Sequence, residues 1–181
     1  MKNLLRLFWV FLIFTLVFVL SYFVIASSET TSGISQEKVV YNLPYPGILP
    51  DHPLYFFKIV RDRINNFLTR DHLKKAELYL LFSDKRAAMA LSLAKKGKNQ
   101  QAIDTFSKAE KYFLKIPPIL QEAKRQGSSP PSSFIETLKL SNAKHQELIT
   151  ELFKTLPQGI TEPLNQIMLL NGQVKKELEK L

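Results

Sequence analysis

Three histidines, no cysteine and 16 carboxylates carry most of the chemistry this 181-residue chain could perform. Asp51-His52 and Asp71-His72 repeat one dipeptide, which invites a metal reading. A zinc site wants two ligands at helical spacing, as in His-x-x-x-His. Here each Asp stands where a helix is expected to begin, so it reads as a cap with the next side chain turned outward. His145 differs, because Leu138, Ser141, His145, Leu148 and Leu152 form one apolar stripe. It is expected to be a core histidine bonded to Ser141 or to a backbone carbonyl. Ser35 with Lys38 and Ser141 with Lys144 match Ser-x-x-Lys, but no Ser-Asp-Asn or Lys-Thr-Gly accompanies them. Phosphate loops, dinucleotide fingerprints and nucleophile elbows are missing. The carboxylates read as solvated partners of Lys and Arg along helices. No catalytic residue, cofactor site or metal site is assigned, and the chain is not expected to be an enzyme.

The elements that would hold these residues begin with "LFWVFLIFTLVFVLSYFVIA", residues 7–26, which carries no charge. Twenty helical residues span roughly 30 Å, the thickness of a bilayer core. A cleaved signal peptide is the competing reading, with Ala26-Ser27-Ser28 as small residues at the cleavage position. Signal cores run to about 15 residues, so a retained anchor is favoured. Lys2 and Arg6 keep residues 1–6 in the cytoplasm, and the rest is expected outside it. Without cysteine, an exported domain has no disulfides and must be held by packing. Beyond residue 26 the chain has 23 cations against 16 carboxylates, a net charge of +7. That balance suits anionic headgroups, anionic envelope polymers or acidic partners, and no nucleic acid is expected.

Residues 27–40 are Ser/Thr-rich and read as a flexible tether. Residues 41–181 read as a helical extracytoplasmic domain, opened by a Pro-rich lead-in over 41–53. Pro44, Pro46, Pro50 and Pro53 forbid a helix through most of it. Pro46-Gly47 suits a type II turn. Asp51 is expected to cap the first helix, with Pro53 in its first turn. The lead-in and its continuation hold Tyr41, Leu43, Tyr45, Ile48, Leu49, Tyr55 and Phe56, too much apolar surface to leave wet. Packing along the bundle is therefore expected, a ligand strand for a partner groove being the alternative.

Helical spacing governs the rest of the chain. Leu54, Phe57, Val60, Ile64, Phe67 and Leu68 form one stripe. A second helix should run from Asp71 to Gly97, apolar on two faces and so central. A third begins near Asn99 and should break or kink at Pro117-Pro118. Ser133 with Glu136 looks like a capping box opening a fourth, through about Leu156. Thr161 should cap a fifth. Strand-like alternation is absent. The fold class expected is all-α: an N-terminal transmembrane helix plus a five-helix extracytoplasmic bundle.

"LPYPGILPDHPLYFFKIVRDRI" followed by "SDKRAAMALSLAKKGKNQQAIDTFSKAEKYF" resembles the bacterial family called domain of unknown function 5667. The resemblance rests on the lead-in residues Leu43, Pro44, Tyr45, Pro46, Gly47, Pro50, Asp51, Pro53, Leu54 and Tyr55, and on the Asp-Lys-Arg helix. It implies a membrane-anchored or secreted bacterial envelope protein and assigns no activity. Ala87-Ala88-Met89 departs from the Leu-Ala-Glu expected there. Gly97, Ala102, Phe106 and Ala109 resemble a single tetratricopeptide hairpin, although such repeats need about three stacked copies.

Leu164, Ile167, Asn171, Val174 and Leu178 step like a heptad seam with Asn at an a-like position. Packing inside the bundle is expected of it, with a membrane-tethered homodimer as the alternative. The functional expectation is a single-pass anchored envelope protein acting as a protein-interaction or scaffolding module. A basic domain docking on anionic polymers or headgroups is the alternative, and a helical hydrolase a distant one.

Overall fold

The computed structural model describes residues 39–156 and 161–181, together with Thr15. The expected cytoplasmic N-terminus, all of the anchor but Thr15 and nearly all of the tether lie outside the described residues. The chain divides into two compact units, Met1–Ile34 and Ser35–Leu181, and the six helices that follow belong to the second. That unit has no strand among the described residues. The helices are α1 (Tyr55–Leu68), α2 (His72–Lys95), α3 (Asn99–Phe113), α4 (Ile116–Arg125), α5 (Ser132–Thr155) and α6 (Thr161–Leu178). Among the described residues, no helix is long and apolar enough to cross a membrane.

Five of these helices, α2 to α6, pack together. The bundle therefore has the expected number of members but not the expected ones. Helix α4 is the addition: its two prolines occupy the first turn, where a missing N–H costs little, so they start a helix instead of ending one. Helix α1 is the absentee and lies outside the main packing.

Local chemistry explains most of the boundaries. Asp71 caps α2 by accepting from the Lys74 amide at 2.8 Å. Gly97 ends that helix at φ +71°. The Lys98 amide returns to the Leu93 carbonyl and the Gly97 amide to that of Ala94, at 2.9 Å each. This double closure needs a left-handed residue, which glycine adopts without a Cβ penalty. Two expected caps do not form. Asp51 lies four residues before α1 and instead pairs with Lys98 at 2.9 Å and Lys96 at 3.2 Å. Those two cations hold its carboxyl down at about 2. Ser133 lies inside α5, which starts at Ser132 behind Pro131, so the Ser133–Glu136 capping box is not made.

Helix α2 is the hub, packed by α3, α4 and α5, while α6 closes against α3, α4 and α5. Its small residues allow the close approach: Ala76, Ala87 and Ala90 are fully buried, as are Ala102 and Ala109 of α3. The apolar interior forms two clusters. One gathers Leu80 and Phe82 with Phe113, Leu120, Leu138 and Val174. The other gathers Ala87, Phe106, Leu148, Leu152, Leu164 and Ile167. In α2, α3, α5 and α6 alike, the residues feeding one cluster are separated along the helix from those feeding the other. Polar residues fill the gap.

Candidate functional site

The gap holds Asp84 from α2, Glu110 from α3, Ser141, Asn142 and His145 from α5, and Asn171 from α6. None is more than 3 % exposed, and His145 and Glu110 are fully sealed. The imidazole of His145 is clasped from both sides. Its Nδ1 lies 2.7 Å from Glu110 Oε1 and its Nε2 3.1 Å from Asp84 Oδ1. The rings of Phe106 and Phe113 stand edge-on to it at 5.7 and 5.6 Å.

An ionised carboxylate only accepts, so between two of them both ring nitrogens donate and the ring is held as the doubly protonated imidazolium. Burial by itself would push the His145 pKa down. The charge of Glu110, the hydrogen bonds the ring donates to both carboxylates and the charge of Asp84 outweigh it and raise the value to about 9. One cation against two carboxylates leaves a negative excess, which neutral donors spread. Ser141 Oγ donates to Asp84 Oδ1 at 2.6 Å and Tyr41 Oη to Asp84 Oδ2 at 2.5 Å. Asn171 Nδ2 reaches Glu110 Oε2 at 3.4 Å. Burial and the Asp84 charge in turn hold the Tyr41 phenol well above its ordinary range. Asn142 and Asn171 bond reciprocally, each amide nitrogen to the other's backbone carbonyl at 3.1 Å, locking α5 to α6.

His145 is thus the core histidine expected, but its partners are Asp84 and Glu110. Ser141 serves the same carboxylate one step away. The reading of the carboxylates as solvated is corrected for Asp84, Glu110 and Asp62, all buried. A usable signal was present in α2. Its stripe Leu73, Ala76, Leu80, Ala87, Leu91, Ala94 skips a turn, and Asp84 occupies it. Glu110 likewise follows Phe106 by one turn beside Ala109.

The lead-in packs in part. Leu43 lies against the second apolar cluster, and Tyr41 reaches the polar core. Gly47 takes φ +68° after Pro46, as the turn requires. Lys58 Nζ then ties Pro46 O at 2.8 Å and Ile48 O at 3.3 Å to α1. Pro44, Pro50 and Tyr55 are half-buried, whereas Tyr45, Pro53 and Leu54 are exposed. Leu164, Ile167, Asn171, Val174 and Leu178 are all buried against the chain's own helices. Pairing this seam with a second copy would require opening the core.

Two hollows on the described surface lie beside this core. One of about 500 Å³ lies between α4 and α5, lined by Leu120, Lys124, Ile135, Glu136 and Lys139. The other, of about 240 Å³, is a basic groove between α1 and α2. There Lys58, Arg61, Lys85 and Arg86 surround Asp62. Asp62 pairs with Arg61 at 2.8 Å and with Arg86 at 4.0 Å, while Arg86 stacks on Tyr112 at 4.3 Å. Desolvation lowers the Lys58 pKa to about 8, with neighbouring cations adding to the effect and Asp62 opposing it. Neither hollow is lined by His145, Glu110 or Asp84. His52 precedes α1 and His72 opens α2, and the described residues contain no group of His, Asp and Glu arranged for a metal.

No curated protein and no solved structure matches the chain. The family model described as Domain of unknown function (DUF5667) matches residues 47–159. The match runs from the Gly47 turn past the end of α5, and so includes Asp84, Glu110 and His145 but not Asn171. Covering more than half of the sequence, it establishes that this chain belongs to the DUF5667 family.

Proposed function

We propose that the protein is a single-pass, N-terminally anchored envelope protein whose helical domain works outside the cytoplasm as an interaction or scaffolding module rather than an enzyme. The observation that carries this reading is the division of labour in the domain. The constellation of acid, base and hydroxyl groups among the described residues is closed to solvent, with His145 and Glu110 at 0 % exposure. A hydrolase would need a substrate to reach those atoms. What the domain presents outward is surface, including the apolar side chains of α1.

Membrane fractionation tests the placement. The chain should stay with the bilayer through alkaline carbonate washing, and protease added outside spheroplasts should remove the helical domain. Release by carbonate, or protection from external protease, contradicts the proposal.

A second reading, docking on anionic envelope polymers, draws on the groove of Lys58, Arg61, Lys85 and Arg86. Such binding would fade steeply with salt, because exposed charges are screened beyond about 10 Å at 0.1 M.

A further inference from the structure

Helix α1 is folded inside out. Its only buried residue is Asp62, which faces Arg86 of α2. Phe67 is 79 % exposed, Leu68 and Phe57 67 %, Phe56 66 %, Ile64 52 % and Val60 36 %. At 3.6 residues per turn these six fall within an arc of about 120°. Tyr55, Ile59, Asp62 and Asn66 occupy the opposite side. Arg63 borders the arc on one flank and Arg61 on the other, and both are exposed. The Arg61 flank opens into the basic groove with Lys85 and Arg86.

We propose that α1 is an interfacial helix, lying in the surface of an anionic bilayer with Phe56, Phe57, Val60, Ile64, Phe67 and Leu68 among the acyl chains and Arg61 and Arg63 at the phosphates. Large aromatic and aliphatic residues on one face with arginines at its margins are the composition such helices require. Chain length places α1 within reach. Only residues 27–40 separate the apolar run 7–26 from the lead-in, so on the anchored reading the chain keeps α1 close to the membrane. Charge selects the lipid. Tyr55 to Arg70 contains Lys58, Arg61, Arg63 and Arg70 against Asp62 alone, and Asp62 is turned inward. The same margins disfavour a second copy, since two such faces brought together set arginine against arginine with no outward carboxylate between them. The groove beside Arg61 gives a lipid phosphate further cationic neighbours.

The inference takes the nearness of the membrane from the anchored reading, and one experiment separates the two. The chain has no cysteine, so a single nitroxide can be placed at will. The full chain carrying Ile64→Cys, Val17→Cys or Lys139→Cys is reconstituted in phosphatidylcholine vesicles with and without phosphatidylglycerol. With phosphatidylglycerol, the label at 64 should become several-fold more accessible to oxygen and several-fold less accessible to a water-soluble nickel chelate than the label at 139. An aqueous label at 64 beside a lipid-buried one at 17 overturns the interfacial helix and leaves the anchor standing. The reverse pair supports the helix and removes the anchor. Spin–spin broadening at 64 that disappears on dilution with unlabelled chain means a second copy covers the face, and also overturns the proposal.

Discussion

Between two ionised carboxylates His145 is held as a cation, and that gives the direction of its pH response. Its folded value, about 9, lies above the ordinary 6.5. The stabilisation is therefore complete below pH 6.5 and is lost as pH rises through 9. A displacement of that size corresponds to a loss on the order of 3 kcal/mol. Urea melts across that window should show the decline, and His145→Gln should flatten it. Tyr41, also raised, contributes only above pH 10 and in the same direction. Replacing His145 by Ala leaves two sealed carboxylates facing each other, and the expected cost is about 3–5 kcal/mol in the same melts. The position of His145 in the core was readable from its apolar stripe. Its partners were not, because Asp84 and Glu110 come from helices 61 and 35 residues away, and spacing along one helix says nothing about what faces it.

At the scale of elements, periodicity located the helices but could not assign their faces. The stripe of α1 has the spacing of a buried face and is exposed. Lys58 and Asp62 have specific partners in the lead-in and on α2, whereas the apolar side is left open among the described residues. Substituting Phe57→Ser or Phe67→Ser should accordingly change the domain's stability by no more than about 0.5 kcal/mol. Phe106→Ala, in the sealed core, should cost about 3–5 kcal/mol. Thermal or urea melts followed by circular dichroism distinguish the two classes. A large loss from either α1 substitution would mean that helix is packed after all. Gly97→Ala should cost about 1 kcal/mol or more by the same measurement, since its φ of +71° strains any residue with a Cβ. The Pro117-Pro118 pair shows the complementary limit of sequence reading. Proline forbids the middle of a helix and favours its first turn, and the choice between them was made by Ile116, Leu120 and Ala123, which had a core to fill.

For the whole molecule, the polar layer decides how the bundle is assembled. Four helices each supply part of it, so a slip of any one would strand a buried charge or amide. We read this as specification of a single packing, a role buried polar groups are known to play in some helical assemblies. Asn171→Leu tests the internal use of the α6 seam. It should cost about 1–3 kcal/mol by leaving the Asn142 carbonyl and Glu110 short of a donor, without changing the sedimentation behaviour of the solubilised chain. The proposed interaction role rests on the burial of one cluster, His145 with Glu110 and Asp84, none more than 3 % exposed. Nitrogen NMR of the His145 ring, assigned with His145→Gln, tests it most directly. Both ring nitrogens should remain protonated, with ring protons protected from solvent exchange, until the pH approaches 9. A neutral tautomer at pH 7, or ring protons exchanging as fast as those of free imidazole, would contradict it.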